Sequence, residues 1–101
     1  MAFQALKLHN DDNVAPMVVE GEQGAIITVQ TPEGSLPLAL VSRVPYCHKA
    51  ALRPIEAGEI IVKYGKPIGR ATTAIPAGAH VHVTNTEGMR GRGDLAKGGG
   101  N

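Results

Sequence analysis

The stretch Ala51-Leu-Arg-Pro-Ile55-Glu-Ala-Gly58 returns as Ala71-Thr-Thr-Ala-Ile75-Pro-Ala-Gly78, with Ala, Ile, Ala and Gly at matching places. Apolar Ile61 then lines up with Val81. Each copy reads as an apolar anchor, a tight glycine turn and a strand. Two copies are too few for a solenoid, which needs three or more to share a core. The expected arrangement is therefore two similar β-arches packed on each other within one small domain. Between them, Lys63-Tyr-Gly-Lys-Pro-Ile-Gly69 reads as a turn-rich connector.

Working outward, the other apolar runs are short, rich in Val and Ile, and cut by Gly, Pro, Asn and Asp, the punctuation of strands and turns. Strands are expected over residues 3–8, 14–19, 25–30 and 36–44, with a hairpin turn over residues 31–34. Pro32 there pre-sets one backbone angle and Gly34 tolerates positive φ. No stretch keeps helical periodicity over 11 or more residues without Gly or Pro. One short helical turn is expected after Pro45, over residues 48–52. The fold class is mostly β. The domain is drawn over residues 1–87, and residues 88–101 read as a Gly-rich flexible tail with almost nothing to bury.

Composition removes several classes of function. The 101 residues amount to one domain with one modest core. Phe3, Tyr46 and Tyr64 are the whole aromatic set, so there is no platform for stacking bases. A net charge of +1 gives no electrostatic case for nucleic acid or for an acidic membrane surface. No apolar run approaches the ~20 residues that cross a bilayer. Cys47 is the single cysteine, the pattern of a reducing compartment. With no signal-like start, the expected location is cytoplasmic.

Three groups of residues carry possible chemistry. His48 and Lys49 bring a group titrating near neutrality beside a fixed cation; the alternative is an ordinary exposed loop pair. His80 and His82 lie two apart, so in a strand they share a face, with Val81 and Val83 on the other. Two neutral imidazoles side by side suit a divalent metal or a polyhydroxy acid; the alternative is a solvent-facing strand that happens to use His. Two ligands do not complete a metal site, which points to a site shared with a partner. Arg90 and Arg92, flanked by glycines, either clasp a carboxylate with paired hydrogen bonds or belong to a solvated tail. Cys47 beside His48 reads as structural, because adjacent residues rarely face each other correctly.

Taken together, Pro45-Tyr-Cys-His-Lys-Ala-Ala-Leu52, Ile55-Glu-Ala-Gly58, Val62-Lys-Tyr-Gly-Lys-Pro-Ile-Gly-Arg-Ala71, Ile75-Pro-Ala-Gly78 and His80-Val-His-Val-Thr-Asn85 resemble the N-terminal domain of altronate and galactarate dehydratases. The small subunit of sulfolactate sulfo-lyase is similar too. Asp12-Asn13-Val14-Ala15 fits the same layout more weakly. The resemblance implies a SAF-type β-clip fold, acting as a small subunit beside a large dehydratase subunit. It implies elimination of water from a sugar acid to give a 2-keto-3-deoxy acid. It also implies a divalent metal, iron by preference, held mainly by the partner. On this reading His48 and Lys49 are catalytic, His80 and His82 face the metal, and Asn85, Arg90 and Arg92 meet the substrate. The chain departs from the family in carrying Cys47 where Gly is common and Thr84 where a third His is common. The alternatives are a sugar-acid-binding module without a catalytic partner, the small subunit of a sulfolactate sulfo-lyase, and a structural or chaperone-like domain of similar fold. The isolated chain is also expected to be able to pair with itself through its partner-facing surface.

Overall fold

The computed structural model describes residues 3–88, and among these there is no helix. Nine strands run in order: β1 (Ala5–Leu6), β2 (Val14–Pro16), β3 (Ile26–Thr31), β4 (Gly34–Ala39), β5 (Lys49–Ala51), β6 (Ile60–Lys63), β7 (Lys66–Ala71), β8 (His80–Val81) and β9 (Thr86–Gly88). They form three sheets of three strands, ordered β1-β3-β4, β2-β5-β8 and β6-β7-β9. Every pairing is antiparallel except β1 with β3.

The repeat seen in the sequence is half of a fourfold one. Turns at residues 22–25, 45–48, 56–59 and 76–79 are each closed by a bond from the last N–H to the first carbonyl, of 3.1, 3.0, 2.9 and 3.2 Å. In each, the third residue has positive φ: Gly24 88°, Cys47 70°, Gly58 88° and Gly78 80°. That is the type II pattern, which asks for glycine at this place. The residues before the turns bridge in pairs, Gly21 with Val44 and Ile55 with Ile75. A hairpin grows out of each pair, β3–β4 from the first and β6–β7 from the second. Even single bonds correspond. Gly24 N–H donates to Leu40 O and Leu40 N–H to Ala25 O, as Gly58 N–H donates to Ala71 O and Ala71 N–H to Glu59 O. The first two copies escape a sequence comparison for a physical reason. Gly21 stands where the others have a branched anchor, because a Cβ there would lie 2.5 Å from Leu40 Cδ1 and 2.8 Å from Met17 Cε. Cys47 stands where the others have glycine.

The sheet β2-β5-β8 divides two small cores. Strand alternation sends Ala15 and Ala50 to one, with Met17, Val29 and Leu40, and sends Val14 and Ala51 to the other, with Ile55, Ile61 and Ile75. Both cores are wholly aliphatic, as the scarcity of aromatics requires. Ala50 and Ala51 have no exposed surface.

That placement corrects the helical turn expected over residues 48–52. Alanine and leucine favour helix, but here Met17 N–H donates to His48 O and Ala51 N–H to Ala79 O. Neighbours on both sides claim the backbone, so residues 49–51 form the middle strand. The strand expected over residues 36–44 also ends early, at Ala39, because residues 40–43 cross to the turn at 76–79, where Val41 N–H donates to Gly78 O. The connector over residues 63–69 closes a hairpin around Tyr64 and Gly65.

Asp12 and Asn13 are buried, at 5% and 3% exposure, and both are satisfied. The Asn13 amide extends the edge of β6, donating to Ile60 O at 2.9 Å and accepting from Val62 N at 2.8 Å. Asp12 accepts from Gly65 N at 2.8 Å and from His9 N at 3.2 Å. These two side chains tie the first segment to the second hairpin.

Candidate functional site

Two of the four turns deliver histidines to one place. The turn at 45–48 ends on His48, and the turn at 76–79 leads into His80 at the start of β8. Strand β5 pairs with β8, Ala50 opposite His80, which brings the two segments side by side. His48 Nδ1 lies 2.8 Å from His80 Nε2, a hydrogen bond in which one nitrogen donates and the other accepts. The His82 ring stacks on both, with centroids 4.5 Å from His48 and 5.1 Å from His80. One ring nitrogen from each residue lies within 4.8 Å of the others. All three side chains are half-buried.

His82 reaches this place by a different route from the one the sequence suggests. The strand stops at Val81, so alternation no longer holds, and Val83 is 76% exposed instead of facing the core with Val81. A turn over residues 82–85 carries the ring back. Asn85 builds that turn: its Oδ1 accepts from His82 N and its Nδ2 donates to His80 O, both at 2.9 Å. The Asn85 amide, expected to meet substrate, is thus committed at both ends to the backbone that aligns His80 and His82. Thr86 Oγ1 donates to His82 O at 2.9 Å. Thr84, where the family often has a third histidine, is exposed on the same turn. In this chain the third imidazole of the cluster comes from His48.

Ser42 completes the support by accepting from His80 N at 2.9 Å. No local signal marks Ser42, because the contact exists only where residues 40–43 cross the turn. Lys49, one residue beyond His48, lines a neighbouring cleft of about 220 Å3 with Ile61, Ile68, Val83, Thr86 and Glu87. Burial lowers the Lys49 pKa from the usual lysine value, and Lys63 lowers it further. Lys49 is close enough to act on His80. Arg90 and Arg92 lie outside the described residues, as does the tail beyond Gly88.

His80 is held below the ordinary imidazole pKa, first by burial, then by His48, His82, Lys49 and Arg43. The folded chain therefore binds the His80 proton less readily than the unfolded chain does. Its contribution to stability is intact above the unfolded value of about 6.5. It is lost as pH falls through that value towards the folded one, where the unfolded state takes up the proton. Urea titrations of the chelator-treated chain are expected to show lower stability at pH 5.5 than at pH 7.5. The loss should be smaller in His80→Asn. An equal loss in both would place the sensitivity elsewhere.

Cys47 is exposed and holds φ at 70°. Its N–H donates to Met17 O at 2.9 Å, so the loop keeps the glycine-type conformation without a glycine. An L-residue in this region costs about 1–2 kcal/mol, and glycine recovers it less about 0.5–1 kcal/mol of extra chain entropy. Cys47→Gly is expected to stabilise the domain by about 0.5–1 kcal/mol. For a chain of this size that raises Tm by roughly 2–8 °C, and an unchanged or lower Tm would contradict it.

Three imidazole nitrogens with no carboxylate among them are a donor set for borderline divalent metals, so the residues present fit the metal that the resemblance implies. Comparison with known proteins gives the family. Residues 3–89 match the family described as the altronate/galactarate dehydratase SAF domain. The (2R)-sulfolactate sulfo-lyase subunit alpha of Chromohalobacter salexigens is 37% identical over 83 residues, covering 79% of this chain and 88% of that subunit. Altronate dehydratase of Escherichia coli is 39% identical over 84 residues, covering 83% of this chain but 16% of that enzyme. Galactarate dehydratase (L-threo-forming) of Escherichia coli is 37% identical over 76 residues, covering 75% of this chain and 14% of that enzyme. With one family spanning nearly every described residue, and relatives whose names are those of lyases, the chain belongs to the altronate/galactarate dehydratase SAF-domain family.

Proposed function

We propose that this chain is the small subunit of a β-eliminating lyase and that it supplies one wall of an active site completed by a large subunit. The reaction is removal of water from a sugar acid of the altronate or galactarate type, giving a 2-keto-3-deoxy acid. The observation that carries the reading is the meeting of His48, His80 and His82 in one half-buried cluster, with Lys49, the next residue after His48, lining a cleft. Such an elimination takes a proton from the carbon next to a carboxylate and expels a hydroxyl from the following carbon. It needs positive charge near the carboxylate and groups that move protons. Lys49 supplies a cation in a cleft of about 220 Å3, and its partial desolvation strengthens its hold on a carboxylate. A divalent ion among the imidazoles would add Lewis-acid charge at the same place.

Two further features support a shared site. Among the described residues the cluster is three imidazoles and includes no carboxylate. Exposed apolar side chains also stand next to it in the chain: Tyr46 at 62% exposure before His48, and Val83 at 76% after His82. Aromatic residues at a surface are typical of contact with a partner. The relatives supply that partner's character. The domain is about a sixth of the altronate dehydratase chain, so in that enzyme a much larger body continues from it.

A second reading is elimination of sulfite from a sulfonated 2-hydroxy acid. It is favoured by the 88% coverage of a relative that is itself a sulfo-lyase subunit. The bond chemistry is the same apart from the leaving group. Mixing the chain with a large subunit of its family and offering altronate, galactarate and sulfolactate separates the readings. Formation of a 2-keto-3-deoxy acid that depends on the chain is the expected result. Sulfite release from sulfolactate alone would select the second reading. No turnover on any of the three, with tight calorimetric binding of aldarates by the isolated chain, would make the domain a binding module and overturn both.

A further inference from the structure

We infer that this chain holds a metal ion by itself: His48, His80 and His82 take one divalent ion of borderline softness, such as Fe2+, Co2+, Ni2+ or Zn2+, on three imidazole nitrogens. This deepens the proposed function by naming the subunit that carries the metal, and it rests on that reading only for the ion's role, not for its binding.

The argument starts from spacing. Two nitrogens bound to one such ion at about 2.0–2.1 Å lie about 2.9 Å apart when cis in an octahedron and about 3.3 Å apart in a tetrahedron. His48 Nδ1 and His80 Nε2 are 2.8 Å apart, so the first two donors already stand at the cis octahedral distance. Their backbone is fixed independently of any ion. His48 O accepts from Met17 N, and His80 N donates to Ser42 Oγ. The third donor needs one movement. The His82 ring lies nearly parallel to His80, with 15° between the planes, and a shared ion must lie in the plane of every ring that binds it. A turn of the half-exposed His82 side chain brings its nitrogen in, and Asn85 keeps its backbone in place. Three cis nitrogens would occupy one face of an octahedron and leave the opposite face for oxygens, which is where the carboxylate and hydroxyl of a 2-hydroxy acid would bind.

The donor type sets the selectivity. Imidazole suits Fe, Ni, Cu and Zn, whereas Mg2+, Ca2+ and Mn2+ favour oxygen ligands, and none of the three donors is an oxygen. His9, the remaining histidine, is elsewhere: its Nδ1 lies 3.8 Å from the Asp11 carboxylate, and its ring packs against Gly65. It serves as a control.

The test is titration of the full, chelator-treated chain with Co2+, followed by visible absorption, and with Zn2+ by calorimetry. The expected result is saturation at one ion per chain, unaffected by millimolar Mg2+. His48→Ala, His80→Ala and His82→Ala should each weaken binding by at least about tenfold, the lower end of what loss of even an outer-shell partner brings. His9→Gln should bind as the parent does. Circular dichroism checks that each variant is folded, and His48→Gln, His80→Gln and His82→Gln replace any that is not. No saturable Co2+ binding, or binding by all three variants as tight as the parent's, overturns the inference. Unchanged affinity in the His82 variant overturns the three-nitrogen set. A chain that binds no metal, yet supports turnover with a large subunit and loses it in His80→Ala, would sink this inference and leave the proposed function standing. Metal binding without turnover on any substrate would do the reverse.

Discussion

Replacing Gly78 by alanine is expected to cost the domain at least about 4 kcal/mol, the range reached only by severe single substitutions. The new Cβ would lie 1.9 Å from Ala39 O, 3.0 Å from Ala39 C and 3.2 Å from Leu40 Cα. All three are backbone atoms, so no side-chain rotation relieves the clash. The φ of 80° adds about 1–2 kcal/mol for any L-residue. Residues 39–41 must move away, and the bond from Val41 N–H to Gly78 O would go with them. A small domain has only about 5–15 kcal/mol to lose. Gly58 is the matched control. It occupies the same place in its own turn at φ 88°, with nothing within 4 Å of an added Cβ. Gly58→Ala should therefore cost only the backbone strain of about 1–2 kcal/mol less about 0.5–1 kcal/mol of chain entropy that glycine carries, a net loss of about 0.5–1 kcal/mol. Urea unfolding of the two variants checks the contrast. Equal losses would mean that residues 39–41 yield freely and that the close crossing does not hold the fold. Because the same crossing places Ser42 under His80, a partly folded Gly78→Ala should also lose metal affinity.

The second large effect is on turnover. In a reconstituted lyase, His48→Ala or His80→Ala is expected to lower kcat by about 10²–10⁴-fold, the span associated with loss of a group that moves a proton in the transition state. Loss of a metal ligand should be no milder, because charge stabilisation at the reacting centre is the larger contribution. Lys49→Ala should act differently. If Lys49 holds the substrate carboxylate in both ground and transition states, KM rises more than kcat falls. Asn85→Ala touches no reacting atom in this scheme. It should lower activity by loosening His82 while leaving the pH profile in place. Full turnover in the His48 and His80 variants would remove the histidine face from the active site altogether.

These expectations divide cleanly by origin. The β class was legible in residues 14–44 and 51–81, because short Val- and Ile-rich runs between Gly and Pro admit little else. The Ala51–Gly58 and Ala71–Gly78 copies disclosed one pair of turns. The other pair was hidden, since Gly21 and Cys47 break the pattern at the two places where tertiary contact or local strain overrides residue type. The strand nature of Lys49–Ala51 was hidden too. Alanine carries no strand signal, and its role is to be small between two cores. Chemistry shows the same division. His48, Lys49, His80 and His82 were visible as candidates from residue type and spacing. Nothing local joins His48 to His80, which lie 32 positions apart. Their meeting depends on β5 pairing with β8, and the approach of Ser42 depends on residues 40–43 crossing the turn at 76–79. Periodicity and turn chemistry act over a few residues and can be read along the chain. Which turns come together is settled by burial of the two aliphatic cores, a property of the whole domain, and that burial assembles the three imidazoles into one site.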